Sequence, residues 1–257
     1  MPSWSGTRRL IYLSIVVGFL LVVFSIPAYF ILNRPGTCFD GIQNQDEEGI
    51  DCGGVCTLLC PSQTTNLLKH WERSFEGART GFYDAVALIE NRNVNAGIEG
   101  IGYSFKLYNE EGILIAERAG SAYVNPNERL VIFEGGIETK EQIPARTFFS
   151  FTETPVWKRV PTSRPEFIIR NKRVETDSLR DVVKATVVNQ SLGDYERITV
   201  VALLFDDDDN AISVSKTEIS RLSRNSSVEI TFILPHNLPQ APARIDIVPR
   251  FNVVTQN

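Results

Sequence analysis

The sequence predicts a mainly β protein: an N-terminal transmembrane helix, a small disulfide-rich knot, and two tandem antiparallel β-sandwiches. Three observations predict it. An apolar run without a single charge spans Leu10–Leu32. All four cysteines fall between Cys38 and Cys60. The rest of the chain repeats itself at an offset of 97–98 residues, with apolar and polar side chains alternating along short segments. The layout that follows is a tail over 1–9, a helix over 10–32 and a knot over 33–63. A first module occupies 64–157, a linker 158–165 and a second module 166–257.

The helix comes first. At about 1.5 Å per residue, Leu10–Leu32 reaches roughly 34 Å, enough to cross a hydrocarbon core of about 30 Å. A secretory signal has a shorter apolar stretch and an A-x-A-like cleavage site, and neither is present here. Pro27 is tolerable in a membrane helix. Arg8 and Arg9 precede the run and Arg34 follows it, so the positive-inside rule puts residues 1–9 in the cytoplasm. The expected location is the cell membrane, crossed once, with the C-terminal bulk extracellular or periplasmic. The net charge of -5 leaves no broad basic face, which makes nucleic acid a poor partner.

The knot follows. Outside the membrane cysteines oxidise, so Cys38, Cys52, Cys56 and Cys60 are expected in two disulfides, with three pairings open. A zinc site would present C-x-x-C hooks, and the spacing here is C-x3-C. Asp40, Asn44, Asp46, Glu48 and Asp51 crowd between the first two cysteines. Such carboxylates repel one another unless solvent or a cation screens them. A calcium ion is the cofactor they would take; the alternative is a solvated acidic turn. Asn44, Asp46 and Glu48 alternate ahead of Gly49 like the front of a calcium loop, but Val55 stands where its bidentate glutamate belongs. Gly53 and Gly54 supply the freedom of a tight crosslinked turn.

In the repeat, Asn91 aligns with Asn189, Asn109 with Asp206 and Asn127 with Asn225. Strands are expected near 66–75, 85–90, 103–108, 113–117, 129–134 and 147–152. In the second module they fall near 167–170, 182–189, 198–205, 211–216, 228–233 and 244–248. The linker, with Pro161 and Pro165, reads as a short stiff spacer, and Trp157 as a residue packed at the module boundary.

Two resemblances attach to these residues. The run Cys38-x-Asp-Gly-Ile-Gln-Asn to Asp51-Cys-Gly-Gly-x-Cys56 resembles a cysteine motif of secreted and surface-anchored bacterial proteins. It departs from that motif at Gln45, where glycine is common. The run Phe105-Lys-Leu-Tyr-Asn109 and the turn at Asn91 resemble the FxLYD family and the water-stress (late embryogenesis abundant) sandwiches. Asn109 replaces the aspartate in the first copy, and Ala202 and Phe205 replace phenylalanine and tyrosine in the second. The resemblance implies an immunoglobulin-like fold and carries no catalytic residue. The whole arrangement resembles single-pass membrane proteins of candidate-phylum bacteria.

No catalytic pattern surrounds His70 or His236, and both read as surface residues. Asp206–Asp209 reads as a solvated hairpin turn, and Phe148, Phe149 and Phe151 as a strand with at least two rings inward. Asn189-Gln-Ser and Asn225-Ser-Ser match the glycosylation sequon. The expected function is a membrane-anchored, non-enzymatic binding or scaffold protein of the cell envelope, with an envelope protein or glycan as partner. The alternative is an accessory subunit of a secretion, pilus or wall-assembly complex. Ser14 and Gly18, four residues apart in the span, are the small pair that helix packing would use.

Overall fold

The computed structural model describes residues 4–32, 37–44, 46–160, 165–176 and 180–255. Arg34, Gln45 and the linker segment 161–164, on which parts of the sequence reading rest, lie outside the described residues. The chain divides into two compact units, 1–56 and 57–257.

In the first unit, α1 (Trp4–Leu32) is apolar along the stretch Arg8–Tyr29, long enough to cross a membrane. From Leu10 to Tyr29 its apolar side chains are exposed. Ser14 and Ser25 turn their hydroxyls back onto the carbonyls of Leu10 and Val22, so these polar groups are satisfied within the helix. The knot after α1 is a set of short turns.

The second unit is built from two antiparallel β-sandwiches. Strands β1 (Leu68–Glu76), β2 (Phe82–Asn91) and β5 (Glu128–Glu138) form one sheet of the first sandwich, in the order β1-β2-β5. Its second sheet runs β4-β3-β6, from β3 (Ala96–Tyr108), β4 (Leu114–Val124) and β6 (Arg146–Phe151), and β7 (Lys158–Arg159) pairs with the start of β3. The second sandwich repeats the scheme. Strands β8 (Phe167–Thr176), β9 (Asp181–Asn189) and β12 (Ser226–Ile233) form the sheet β12-β9-β8. Strands β10 (Tyr195–Phe205), β11 (Ala211–Leu222) and β13 (Arg244–Arg250) form the sheet β11-β10-β13.

The repeat has a physical basis in three pairs of residues. Asn91 and Asn189 end β2 and β9, and both are wholly buried. The Asn91 amide donates to the carbonyls of Ala96 and Asn125, and the Asn189 amide to those of Gly193 and Ser223. Each side-chain oxygen accepts the N–H two residues on, from Asn93 and Ser191. Gly112 and Asp209 take the left-handed conformation in the hairpins β3–β4 and β10–β11 (φ 78° and 63°). Asn127 and Asn225 take it in the next turns (φ 46° and 50°). Asparagine and aspartate tolerate that region better than other residues with a side chain.

Each sandwich closes over its own core. Ala85, Ala87 and Ile89 of β2 meet Phe105 and Leu107 of β3, while Val183, Ala185 and Val187 of β9 meet Val200, Ala202 and Leu204 of β10. Trp157 packs with Leu59 inside the first core, not at the boundary between modules. A third apolar layer lies between the sandwiches. Val86 and Val131 of the first are buried against Val201, Leu203, Phe205 and Val214 of the second, with Trp71 and Phe133 alongside. Burying each such side chain contributes about 1.5–3 kcal/mol. The modules are therefore fused face to face, and the expectation of a stiff spacer is corrected. Lys158–Arg159 is a strand on β3, and Val160 is buried beside Val253 and Val254.

A charged pair crosses the same boundary. Arg250 of β13 donates to Glu128 of β5 through Nε (3.1 Å) and Nη2 (3.3 Å), with both side chains buried. Arg250 Nη2 also donates to the Tyr123 carbonyl (2.8 Å). Asn125 donates to Glu128 through its backbone N–H (3.0 Å) and to the Phe251 carbonyl through its amide (2.9 Å). The Val253 N–H donates to Asn125 Oδ1 (3.1 Å). Burial works against the guanidinium's charge, but Glu128 together with Tyr123 and Tyr103 outweighs it and the Arg250 pKa lies above its ordinary value. The tail then closes on Gly97, where an added Cβ would stand 2.8 Å from Val254 Cγ2.

Removing one partner of this pair strands a charge in the interface. Arg250→Met is expected to cost about 3–5 kcal/mol in urea unfolding, and the double change Glu128→Leu with Arg250→Met much less. An equal loss in the two variants would show that the pair contributes only volume.

Candidate functional site

The acidic knot was the sequence's candidate. Cys38 is bonded to Cys56, Cys52 and Cys60 are disulfide-bonded as well, and no cysteine is free among the described residues. Asp51 is folded onto the chain before it. Its Oδ1 accepts from the Asp40 and Gly41 N–H groups (3.0 and 3.1 Å), and Oδ2 accepts from Gly41 as well (3.0 Å). Asp40 Oδ2 accepts from the Thr37 N–H and the Asn44 amide (3.0 Å each), and Oδ1 from the Ile42 N–H (3.0 Å). The Thr37 N–H, then the Asn44 amide, hold the Asp40 carboxyl below its usual pKa. Asp46 and Glu48 are exposed. Asn44 Oδ1 is enclosed and accepts no hydrogen bond among the described residues.

Of the five predicted ligands, the structure thus brings Asp40, Asn44 and Asp51 together, and backbone amides occupy both carboxylates. The buried acid of the knot is Glu47, one of the crowded carboxylates of this loop but outside the predicted ligand set. Glu47 accepts from the Asn44 N–H and lies 3.2 Å from Cys56 Sγ. Cys38, Glu47 and Cys56 converge as potential donors among the described residues, but both sulfurs are in the disulfide and offer no thiolate. Gly54 is required, since an added Cβ would lie 1.7 Å from the Asp46 carbonyl oxygen. A loop braced by its own amides is expected to melt at the same Tm in calcium as in chelator. A rise in Tm with calcium would instead show that the folded chain binds the cation.

The other flagged residues settle into ordinary roles. Asp206 Oδ1 accepts from the Asp208 and Asn210 N–H groups, capping the hairpin as Asn109 Oδ1 does for Ile113. His70 bonds Glu90 at the surface (2.8 Å), and His236 is exposed. Phe149 and Phe151 point into the first core, while Phe148 stays 52% exposed against Tyr108. Asn189 is wholly buried, so its sequon does not mark a surface loop.

A second site had no signal in the sequence. At one margin of the layer between the sandwiches lies a cleft of about 590 Å³. Arg79, Asp84, Phe133, Arg180 and Lys216 line it, together with the end of β12 at Ile233. Asp84 sits opposite a β-bulge, where the β2–β5 register shifts and Gly136 takes φ 67°. Asp84 Oδ1 accepts from the Gly136 N–H (2.8 Å). The Lys216 ammonium lies 5.0 Å from the centre of the Phe133 ring, and the Arg79 guanidinium 4.3 Å from that of Phe82. Among the described residues, Arg79, Arg180 and Lys216 form no ion pair with a carboxylate.

Burial raises the Asp84 pKa above 3.8, while the Gly136 N–H and Lys216 oppose the rise. Between 3.8 and the raised value the folded state binds more protons than the unfolded chain. Stability therefore falls as pH rises through that window, and the cost is complete at neutral pH. Asp84→Asn keeps an acceptor for Gly136 and removes the cost. It is expected to melt above the wild type at neutral pH and to lose that advantage in acid.

No family model matches the chain. No curated protein matches it either. Among solved structures, the crystal structure of red sea bream transglutaminase aligns at 11% identity with a TM-score of 0.25. The alignment covers 72% of this chain and 29% of the transglutaminase, so this chain spans under a third of that protein's length. A likeness at that TM-score carries no functional argument.

Proposed function

We propose that this is a membrane-anchored, non-enzymatic binding or scaffold protein of the cell envelope, with its two sandwiches acting as interaction domains outside the membrane. The observation that carries the reading is α1. Its apolar side chains stand exposed from Leu10 to Tyr29, a surface far larger than a soluble protein presents to water. Lipid is the solvent that suits it. The oxidised knot supports an extracellular setting, since disulfides persist outside the cytosol. Phe105 and Leu107 lie in the first core, as an FxLYD-like, immunoglobulin-like module would place them.

The test has two readouts. Alkaline carbonate washing is expected to leave the full-length protein with the membranes; release would remove the anchor. Crosslinking on intact cells carrying a tagged copy is expected to capture an envelope protein or glycan from the outer side. Recovery of one fixed set of multi-span membrane proteins would assign it instead as an accessory subunit of their complex. Capture confined to cytoplasmic proteins would overturn both.

A further inference from the structure

The cleft between the sandwiches is walled by strand edges. Among the described residues β5 pairs only with β2, β11 only with β10, and β12 only with β9. Each is the outer strand of its sheet, and all three contribute residues to the cleft: Phe133 and Gly136 from β5, Val214–Lys216 from β11, Ile233 from β12. An unpaired edge is a row of N–H and C=O groups ready for another strand, and proteins usually blunt it. Here the Ser215 hydroxyl donates to the Ile233 carbonyl (2.8 Å), holding β11 and β12 side by side. The cleft volume of about 590 Å³ falls within the roughly 300–1,000 Å³ of a ligand site. At about 3.3 Å per residue, four extended residues would span roughly 13 Å.

Charge selects the occupant. The chain carries -5 overall, yet Arg79, Arg180 and Lys216 gather at this cleft around one carboxylate, Asp84. That carboxylate is already engaged by the Gly136 N–H. Phe82, Phe133 and Val214 give the floor an apolar surface.

We propose that this cleft binds an extended, acidic peptide segment of a partner protein, which adds a strand along the outer edge of β5 while Arg79 and Lys216 pair with its carboxylates. The proposal rests on the reading of the protein as a binding module and names the partner's chemistry. Backbone pairing supplies affinity, alternate side chains enter the apolar floor, and the cations reject basic sequences.

The test uses the full-length protein in detergent and a fluorescein-labelled peptide, Glu-Val-Glu-Val-Glu-Val, read by anisotropy. A Lys-Val-Lys-Val-Lys-Val peptide is the control, and poly(glycerol phosphate) is the competitor. The acidic peptide is expected to bind at least about tenfold more tightly than the basic one and to weaken as salt rises. Lys216→Glu and Arg79→Glu, both at exposed positions, are each expected to weaken it about tenfold. Lys216→Gln, which adds no repulsion, should weaken it less. Unchanged melting curves would show that the variants fold. Absence of binding, equal binding of the two peptides, equal binding by wild type and Lys216→Glu, or displacement by poly(glycerol phosphate) at equal charge would each overturn the proposal. The broader reading has its own readout: capture of an envelope partner without peptide binding removes the cleft and leaves the anchored binder. Loss of membrane retention removes the anchor whatever the peptide does.

Discussion

The pair Glu128–Arg250 ties the two sandwiches together across their boundary. Taking two charges out of water costs several kcal/mol for each ion, and mutual attraction offsets that only in good geometry with the remaining polar atoms satisfied. Here two guanidinium nitrogens meet the carboxylate, a third contact runs to the Tyr123 carbonyl, and Asn125 donates to Glu128 from the backbone. The apolar layer of Val86 and Val131 on Val201 and Leu203 is non-directional, whereas the pair fixes an orientation. A buried pair with so many fixed partners admits one register.

The same layer joins unlike faces of the repeat. The faces that meet are different ones, the β1-β2-β5 sheet of the first sandwich and the β11-β10-β13 sheet of the second. A contact between unlike faces of a repeat can propagate into an open array unless the ends are capped. The outward face of the β12-β9-β8 sheet carries Arg173, Glu175, Lys184 and Glu229 in ion pairs. The outward face of the β4-β3-β6 sheet carries Lys106 with Glu117.

Much of this was legible in the sequence, and the reasons differ by element. Strand positions, the apolar helix, the oxidised cysteines and the polar hairpin at Asp206 were readable because each rests on local pattern or turn chemistry. The repeat of Asn91 at Asn189 was visible because one buried amide does the same work in both copies. The fusion of the modules left a trace that was not weighed. Ala85–Ile89 and Val200–Phe205 are apolar on both faces, as strands covered on both sides are. The strand Lys158–Arg159 is too short to show alternation, and prolines at 161 and 165 make its surroundings read as spacer. Glu128 with Arg250, and Arg79 with Lys216, are far apart in the chain, and no local rule joins them. In the knot, a count of acids does not show that backbone amides claim Asp40 and Asp51.

The closing of the tail on Gly97 has a mechanical consequence. Val160, where the chain leaves the first sandwich, touches Val253 and Val254, where it returns from the second. The second sandwich therefore hangs as a closed lobe whose entry and exit lie together. Tension between Thr57 and Thr255 would pass through the tail's contacts with Val160 and Asn125 and into the first sandwich. The sheets of the second would stay slack until that clasp opened. Then only the tail would peel away at first, because the apolar layer and the Glu128–Arg250 pair would still hold the second sandwich to the first.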